Sequence, residues 1–336
     1  MATKQAPIKD KFPSNRAIIM RLHRRLILPI ALLALVATGR AESRAWSNRA
    51  GKTIQAELTA YDPVSGKVTL KLANGTTAVV AATTLSDADQ AFLTEPQRKL
   101  DERLAELKTN SGKVVACQSD GPEQVTYHVY YPTTFDPAKP PAMIILFSPG
   151  GSGTGILNPV KDACEKLGWV GVGCDAFRNN TDESALDKKW SEVLPHIEKT
   201  VLHNPDLLYL GGMSGGALRA YDYSESTARP WKGVLAFGGW LGGKESLHCA
   251  PKMAVAVVNG SDDKSANSNA PRDEKVLKDA RCVVRTFSFP GGHQIAPPAV
   301  VLQAMQWLQE TTTPGNRMSK GKRSRTPLDP DLDKVR

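Results

Sequence analysis

The chain has 336 residues, 41% of them hydrophobic, which is enough apolar material for one medium domain and one small one. Its formal net charge is +9, but the Lys and Arg excess gathers at the two ends and leaves a slightly negative body, which excludes a basic nucleic-acid-binding face. The five cysteines show no C-x-x-C and no His/Cys ligand spacing, so neither a structural zinc nor any other metal or cofactor is expected.

Residues 1–41 read as a secretory signal with an over-extended start. Arg21, Arg24 and Arg25 form a positive region ahead of an apolar stretch, residues 26–37, that is too short to span a bilayer comfortably. Gly39-Arg40-Ala41 offers small residues at the cleavage positions, so Glu42 begins the mature protein and Met20 is the expected true start. The alternative is an uncleaved anchor. Cleavage implies export to the periplasm or the exterior, with no stable membrane span left. Cys117, Cys164, Cys174, Cys249 and Cys282 then meet an oxidising compartment, and their odd number leaves at least one unpaired within the chain. Cys174 and Cys282 lie in strand-like runs and read as small core residues rather than redox sites.

Residues 44–94 form a separate module. Ile54, Ala56, Leu58 and Ala60 alternate with polar residues, as do Val68, Leu70 and Leu72, and Asn74-Gly75 marks a hairpin turn before a third strand over residues 77–82. Ser86 caps a short helix that opens Asp87-Ala88-Asp89. The opening at residues 46–52 and the closing Leu85-Ser86-Asp87-Ala88-Asp89-Gln90-Ala91-Phe92 resemble an SH3-like barrel of the SLA homology (SHD) type, named for a eukaryotic endocytic adaptor. The resemblance implies a ligand or protein partner, of unspecified chemistry, for this module. Residues 97–110, rich in Lys, Arg, Glu and Leu, read as a helical spacer.

From residue 113 to 310, strand-like and helix-like stretches alternate, the pattern of a doubly wound, mostly parallel sheet in an α/β fold. Ala142-Met143-Ile144-Ile145-Leu146-Phe147 is an apolar strand leading into Ser148-Pro149-Gly150-Gly151-Ser152-Gly153. Glycines there let backbone N–H groups approach a substrate, and because Pro149 has none, Gly150 or Gly151 is the expected oxyanion donor. The loop lacks the G-K-[ST] ending of a P-loop and the G-x-G-x-x-G spacing of a dinucleotide fingerprint. Residues 169–174 give another strand, with helices near residues 159–167 and 185–201.

Gly212-Met213-Ser214-Gly215-Gly216 follows the apolar run Leu207-Leu208-Tyr209-Leu210 and precedes a helix-like stretch, the G-x-S-x-G nucleophile-elbow context. The turn lifts the Ser214 hydroxyl clear of the sheet and aims the Gly215 N–H into the same space. A serine hydroxyl needs a base within hydrogen-bond reach, and the base needs an acid to fix its tautomer. After the strand at residues 233–237, the segment 238–251 is too short for a helical cap domain, which predicts an open cleft with Trp240 beside it. The alternative for Trp240 is plain core. The buried-strand run at residues 253–258 ends in Asn259-Gly260-Ser261-Asp262-Asp263, and the acid is expected there, Asp263 ahead of Asp262. Asp175, past an earlier strand, is the reserve candidate. The strand at residues 282–289 ends in Pro290-Gly291-Gly292-His293, which puts His293 on a loop tip as the base. His23, His128, His196, His203 and His248 lie in the signal, in a strand, in or after a helix, or upstream of the acid. A helix over residues 299–309 precedes the tail 315–336, which reads as a disordered, solvated basic end.

The order Ser214, Asp263, His293, with the Ser148-Pro149-Gly150-Gly151 loop before them, resembles the α/β-hydrolases, and among them secreted esterases of the feruloyl esterase and polyhydroxybutyrate depolymerase type. Many of those carry histidine at the start of the oxyanion loop, where this chain has Ser148. The resemblance implies a serine hydrolase, a carboxylesterase acting through an acyl-enzyme, on an ester carried by a polysaccharide or another polymer. Two alternatives stand beside it: an interaction protein built on a degenerate hydrolase scaffold, and a serine peptidase of the same fold.

Overall fold

The computed structural model describes residues 43–225 and 229–313. The expected signal at 1–41 and the tail at 315–336 lie outside the described residues. The chain divides between Arg98 and Lys99 into two compact units.

The first unit is an antiparallel meander of β1 (Arg44–Ser47), β2 (Thr53–Asp62), β3 (Lys67–Leu72) and β4 (Thr77–Ala81), in that spatial order. Alternation sends Val68 and Leu70 inward, where they pack with Trp46, Ala56, Leu85 and Leu93. The Trp46 indole donates to the Ala56 carbonyl at 3.1 Å, so its polar edge is satisfied in the core. A 3-10 turn (Ala82–Thr84) leads to α1 (Asp87–Asn110). Ser86 caps this helix, its Oγ accepting from the Asp89 N–H at 3.2 Å. The buried Asp89 carboxylate in turn accepts from the Ser47 N–H and from Arg44, both at 2.7 Å. The expected short helix and the expected spacer are one continuous helix. Pro96 removes one intrahelical donor, but the Arg, Lys, Leu, Glu and Ala that follow are strong helix formers and carry the helix through.

The second unit is an eight-stranded sheet flanked by helices. In chain order its elements are β5 (Val114–Gln118), β6 (Thr126–Tyr130), β7 (Met143–Phe147), α2 (Gly153–Leu167), β8 (Val170–Cys174), α3 (Glu183–Thr200), β9 (Leu208–Met213), α4 (Gly215–Ser224), β10 (Gly233–Phe237), β11 (Ala254–Gly260), α5 (Lys264–Asp279), β12 (Val283–Phe289) and α6 (Pro298–Thr312). The spatial order is β12-β11-β10-β9-β7-β8-β6-β5. β6 runs antiparallel to both its neighbours, and the strands from β8 to β12 are mutually parallel. Every residue of β7, β8 and β10 is buried, because helices cover both faces. Ile144 and Leu146 pack with α2 and α6 on one face; Met143, Ile145 and Phe147 pack with α3, α4 and α5 on the other. One antiparallel strand near the edge, followed by the exchanged order of β7 and β8, is the α/β-hydrolase arrangement. It brings the carboxyl ends of β7, β8, β9, β11 and β12 to one edge of the sheet, on either side of the point where the connections change direction. Among the described residues no helix is long and apolar enough to cross a membrane.

Candidate active site

β9 is buried throughout and ends at Met213; the chain then turns at Ser214 straight into α4. Ser214 has φ +54° and ψ −121°, a conformation non-glycine residues rarely hold and one that ties its N–H to the Phe237 carbonyl at 2.9 Å. The flanking glycines are required by space. A Cβ on Gly212 or Gly216 would overlap the Phe147 carbonyl of the neighbouring strand. As the first residue of α4, Gly215 has no intrahelical acceptor for its N–H, and none is taken up elsewhere among the described residues.

His293 stands on the loop after β12, and this loop is tied to the end of β11 by the Ser261 N–H on Phe289 O and the Asp262 N–H on Gly291 O, both 2.8 Å. Its Nε2 lies 2.9 Å from Ser214 Oγ and its Nδ1 2.7 Å from Asp263 Oδ2. The imidazole is 41% exposed, whereas the Asp263 side chain is 1% exposed. Asp263 is also the N-cap of α5: its Oδ1 accepts from the Ala266 N–H at 3.0 Å, which fixes the carboxylate against the start of the helix. Asp262 is exposed, and its Oδ1 accepts from the Ser261 hydroxyl at 3.4 Å. Gly238, with φ +51°, lets the chain after β10 pass under the pair; a Cβ there would sit 2.9 Å from Asp263 Oδ2 and 3.1 Å from His293 Nδ1.

The loop after β7 pairs with the loop after β8. Gly150 and Arg178 form an antiparallel bridge, the Ala176 N–H donates to Gly151 O at 3.0 Å, and the Asn179 N–H donates to Pro149 O at 2.9 Å. The two expected oxyanion donors differ. Gly151 donates its N–H to Ser148 O at 3.0 Å, closing a turn, and is not available. Gly150 is exposed, and its N–H meets only its neighbour's hydroxyl, Ser148 Oγ, at 3.3 Å. Asp175, the reserve acid, is engaged elsewhere: it accepts from the Gly153 N–H at 2.5 Å and meets His128 Nε2 at 3.0 Å, fixing the start of α2 behind the loop. His196 bonds the Tyr127 hydroxyl, His203 bonds Val201 O and His248 lies beside Glu225, so none of these is near Ser214's partner.

Sequence reasoning did not find Asn179. Its carboxamide lies against Gly215, where a Cβ would overlap Oδ1 and stand 3.0 Å from Nδ2. Its position a few residues past the carboxyl end of β8 is the one signal that could have raised it. Trp240 is half-buried rather than core. It follows Gly239, where a side chain would run into Ala217 of α4, and residues 238–253 form no helix or strand. Among the described residues no cluster of His, Cys, Asp or Glu could hold a metal ion.

No family model matches the chain, and no curated protein matches it. Among solved structures it is similar to a ferulic acid esterase, at 16% identity over 60% of this chain and 98% of that one, with a TM-score of 0.48. It is similar to an S-formylglutathione hydrolase from Agrobacterium tumefaciens, at 13% identity over 60% and 95%, TM-score 0.47. A Bacillus cereus carboxylesterase gives 17% identity over 59% and 94%, TM-score 0.44.

Proposed function

We propose that the chain is an exported serine hydrolase that cleaves carboxylic esters. The observation that supports this most is the unbroken hydrogen-bond chain from Ser214 Oγ through His293 to the buried Asp263 carboxylate, beside an uncommitted Gly215 N–H. In this reading Ser214 Oγ attacks the ester carbon while His293 Nε2 takes its proton. Asp263 holds the proton on Nδ1 and stabilises the imidazolium. The oxyanion is held by the N–H of Gly215 and the N–H of Gly150, each donor worth about 3–4 kcal/mol when removed. Asn179 adds a carboxamide at the same spot. The imidazolium returns the proton to the leaving alcohol, and a water activated by His293 then releases the acid. A degenerate scaffold would have no use for a strained serine held 2.9 Å from a histidine whose second nitrogen is already oriented.

The lack of any helix within residues 238–253 that could form a cap, and the half-buried Trp240, favour short acyl groups on a bulky or polymeric alcohol such as a polysaccharide. The meander of the first unit is read as the SH3-like module, a docking element for a ligand or protein partner. A panel of aryl esters from acetate to palmitate tests the ester and cleft readings together. Turnover is expected to peak at acetate to butyrate, with no rise at a lipid interface. A maximum at long chains with clear interfacial activation would contradict the open cleft, and no turnover of any ester would remove the esterase.

A further inference from the structure

Five thiols are spread through the second unit, and only two of them meet. Cys249 Sγ and Cys282 Sγ are 3.2 Å apart; no other pair of cysteines is in sulfur contact among the described residues. Cys282 does not lie within a strand, as its sequence context suggested, but directly before β12, while Cys249 closes the segment that follows β10. The backbone around them is already fixed. The Lys252 N–H donates to Arg281 O at 3.0 Å, the Val283 N–H to Met253 O at 2.9 Å, and the Cys282 N–H to Leu277 O at 2.9 Å. The sulfurs are thus about 1.2 Å from the covalent S–S separation of about 2.0 Å, on segments that backbone hydrogen bonds already hold side by side.

We propose that Cys249 and Cys282 close to a disulfide when the folded chain meets a disulfide oxidant, and that this bond is a structural staple of the hydrolase unit. The two sulfurs are unequal. Cys249 is half-buried, and the hydrogen bond from Cys282 holds its thiol below the ordinary cysteine range; Cys282 is buried, and the same contact together with burial pushes its thiol up. Cys249 is thus the sulfur that reacts first. Its thiolate attacks one sulfur of the oxidant and expels one thiolate. Cys282, losing its proton, then attacks Cys249 Sγ and expels the second. The two cysteines together give up two electrons and two protons, and the oxidant leaves as two thiols.

The loop so closed holds β11, Asp263 and α5, but the bond itself lies at the amino ends of β11 and β12, at the opposite edge of the sheet from Asp263 and His293. Its effect is on stability, by restricting the unfolded chain, and not on the chemistry. Trypsin separates the two cysteines into the peptides 245–252 and 282–285, neither with a second cysteine. The full chain, equilibrated with oxidised glutathione and digested without reductant, is expected to yield these two peptides as one linked species that reductant splits. Reduction is expected to lower Tm by about 8 °C, a shift that Cys249→Ser and Cys282→Ala each abolish and Cys117→Ser retains. The peptide map on the unmodified chain needs no variant to fold. Both peptides recovered with free thiols or only as glutathione adducts, either one linked to a different cysteine, or a Tm shift that survives in Cys249→Ser, would overturn the proposal.

Discussion

Ser214→Ala is expected to lower kcat on a short aryl ester by about five to six orders of magnitude while leaving the fold intact. The size of the loss follows from the loss of the covalent route: without Oγ there is no acyl-enzyme, and only oxyanion donation and binding remain to accelerate attack by water. Stability should hardly change. Ser214 Oγ has a single partner, His293 Nε2, on a partly exposed ring, and one such bond is worth about 1 kcal/mol net. Turnover and the thermal unfolding midpoint are measured on the same preparation. A variant that unfolds at the parental temperature and has lost its turnover fits the account; one that keeps turnover means that another residue is the nucleophile.

Asp263→Asn is expected to cost about four orders of magnitude in kcat. The carboxamide can present an N–H to His293 Nδ1, which leaves the ring proton on Nε2, facing Ser214 Oγ, where an acceptor is needed. The change is well isolated from stability. Asp263 Oδ1 caps α5 through the Ala266 N–H, and asparagine is as good a cap as aspartate. Asp262→Asn, on an exposed side chain whose hydrogen bond is to Ser261 while His293 Nδ1 is taken by Asp263, should change kcat less than about threefold. Steady-state kinetics of the pair decide the matter. The reverse ranking would move the acid by one residue, and two equally small effects would mean that His293 is oriented by something other than a carboxylate at the end of β11.

The parts of the site legible in the sequence were those set by local chemistry. A buried parallel strand must be apolar at nearly every position, so β7, β9, β10 and β11 stand out as runs, and the glycines around Ser214 and before His293 mark where the chain has to turn tightly or let another backbone pass. Chain order did the rest for Ser214, Asp263 and His293. What stayed out of reach depended on contacts between loops. The choice between Asp262 and Asp263 turns on which carboxylate caps α5 and so points inward. The choice between Gly150 and Gly151 turns on the Ser148 carbonyl, which accepts the Gly151 N–H. Asn179 and the pairing of Cys249 with Cys282 are juxtapositions across distant segments, with no periodicity to announce them. The length of α1 was hidden by Pro96, which reads as a break and is overridden by the helix formers after it.

The central claim is that Ser214 is an activated nucleophile in the folded chain. It is tested most directly by incubating the protein with a fluorophosphonate, measuring the intact mass and mapping the modified peptide. The account predicts one adduct per chain, on Ser214, that is absent in Ser214→Ala and in unfolded protein. No adduct on the folded protein, or an adduct carried by any other residue, would contradict it.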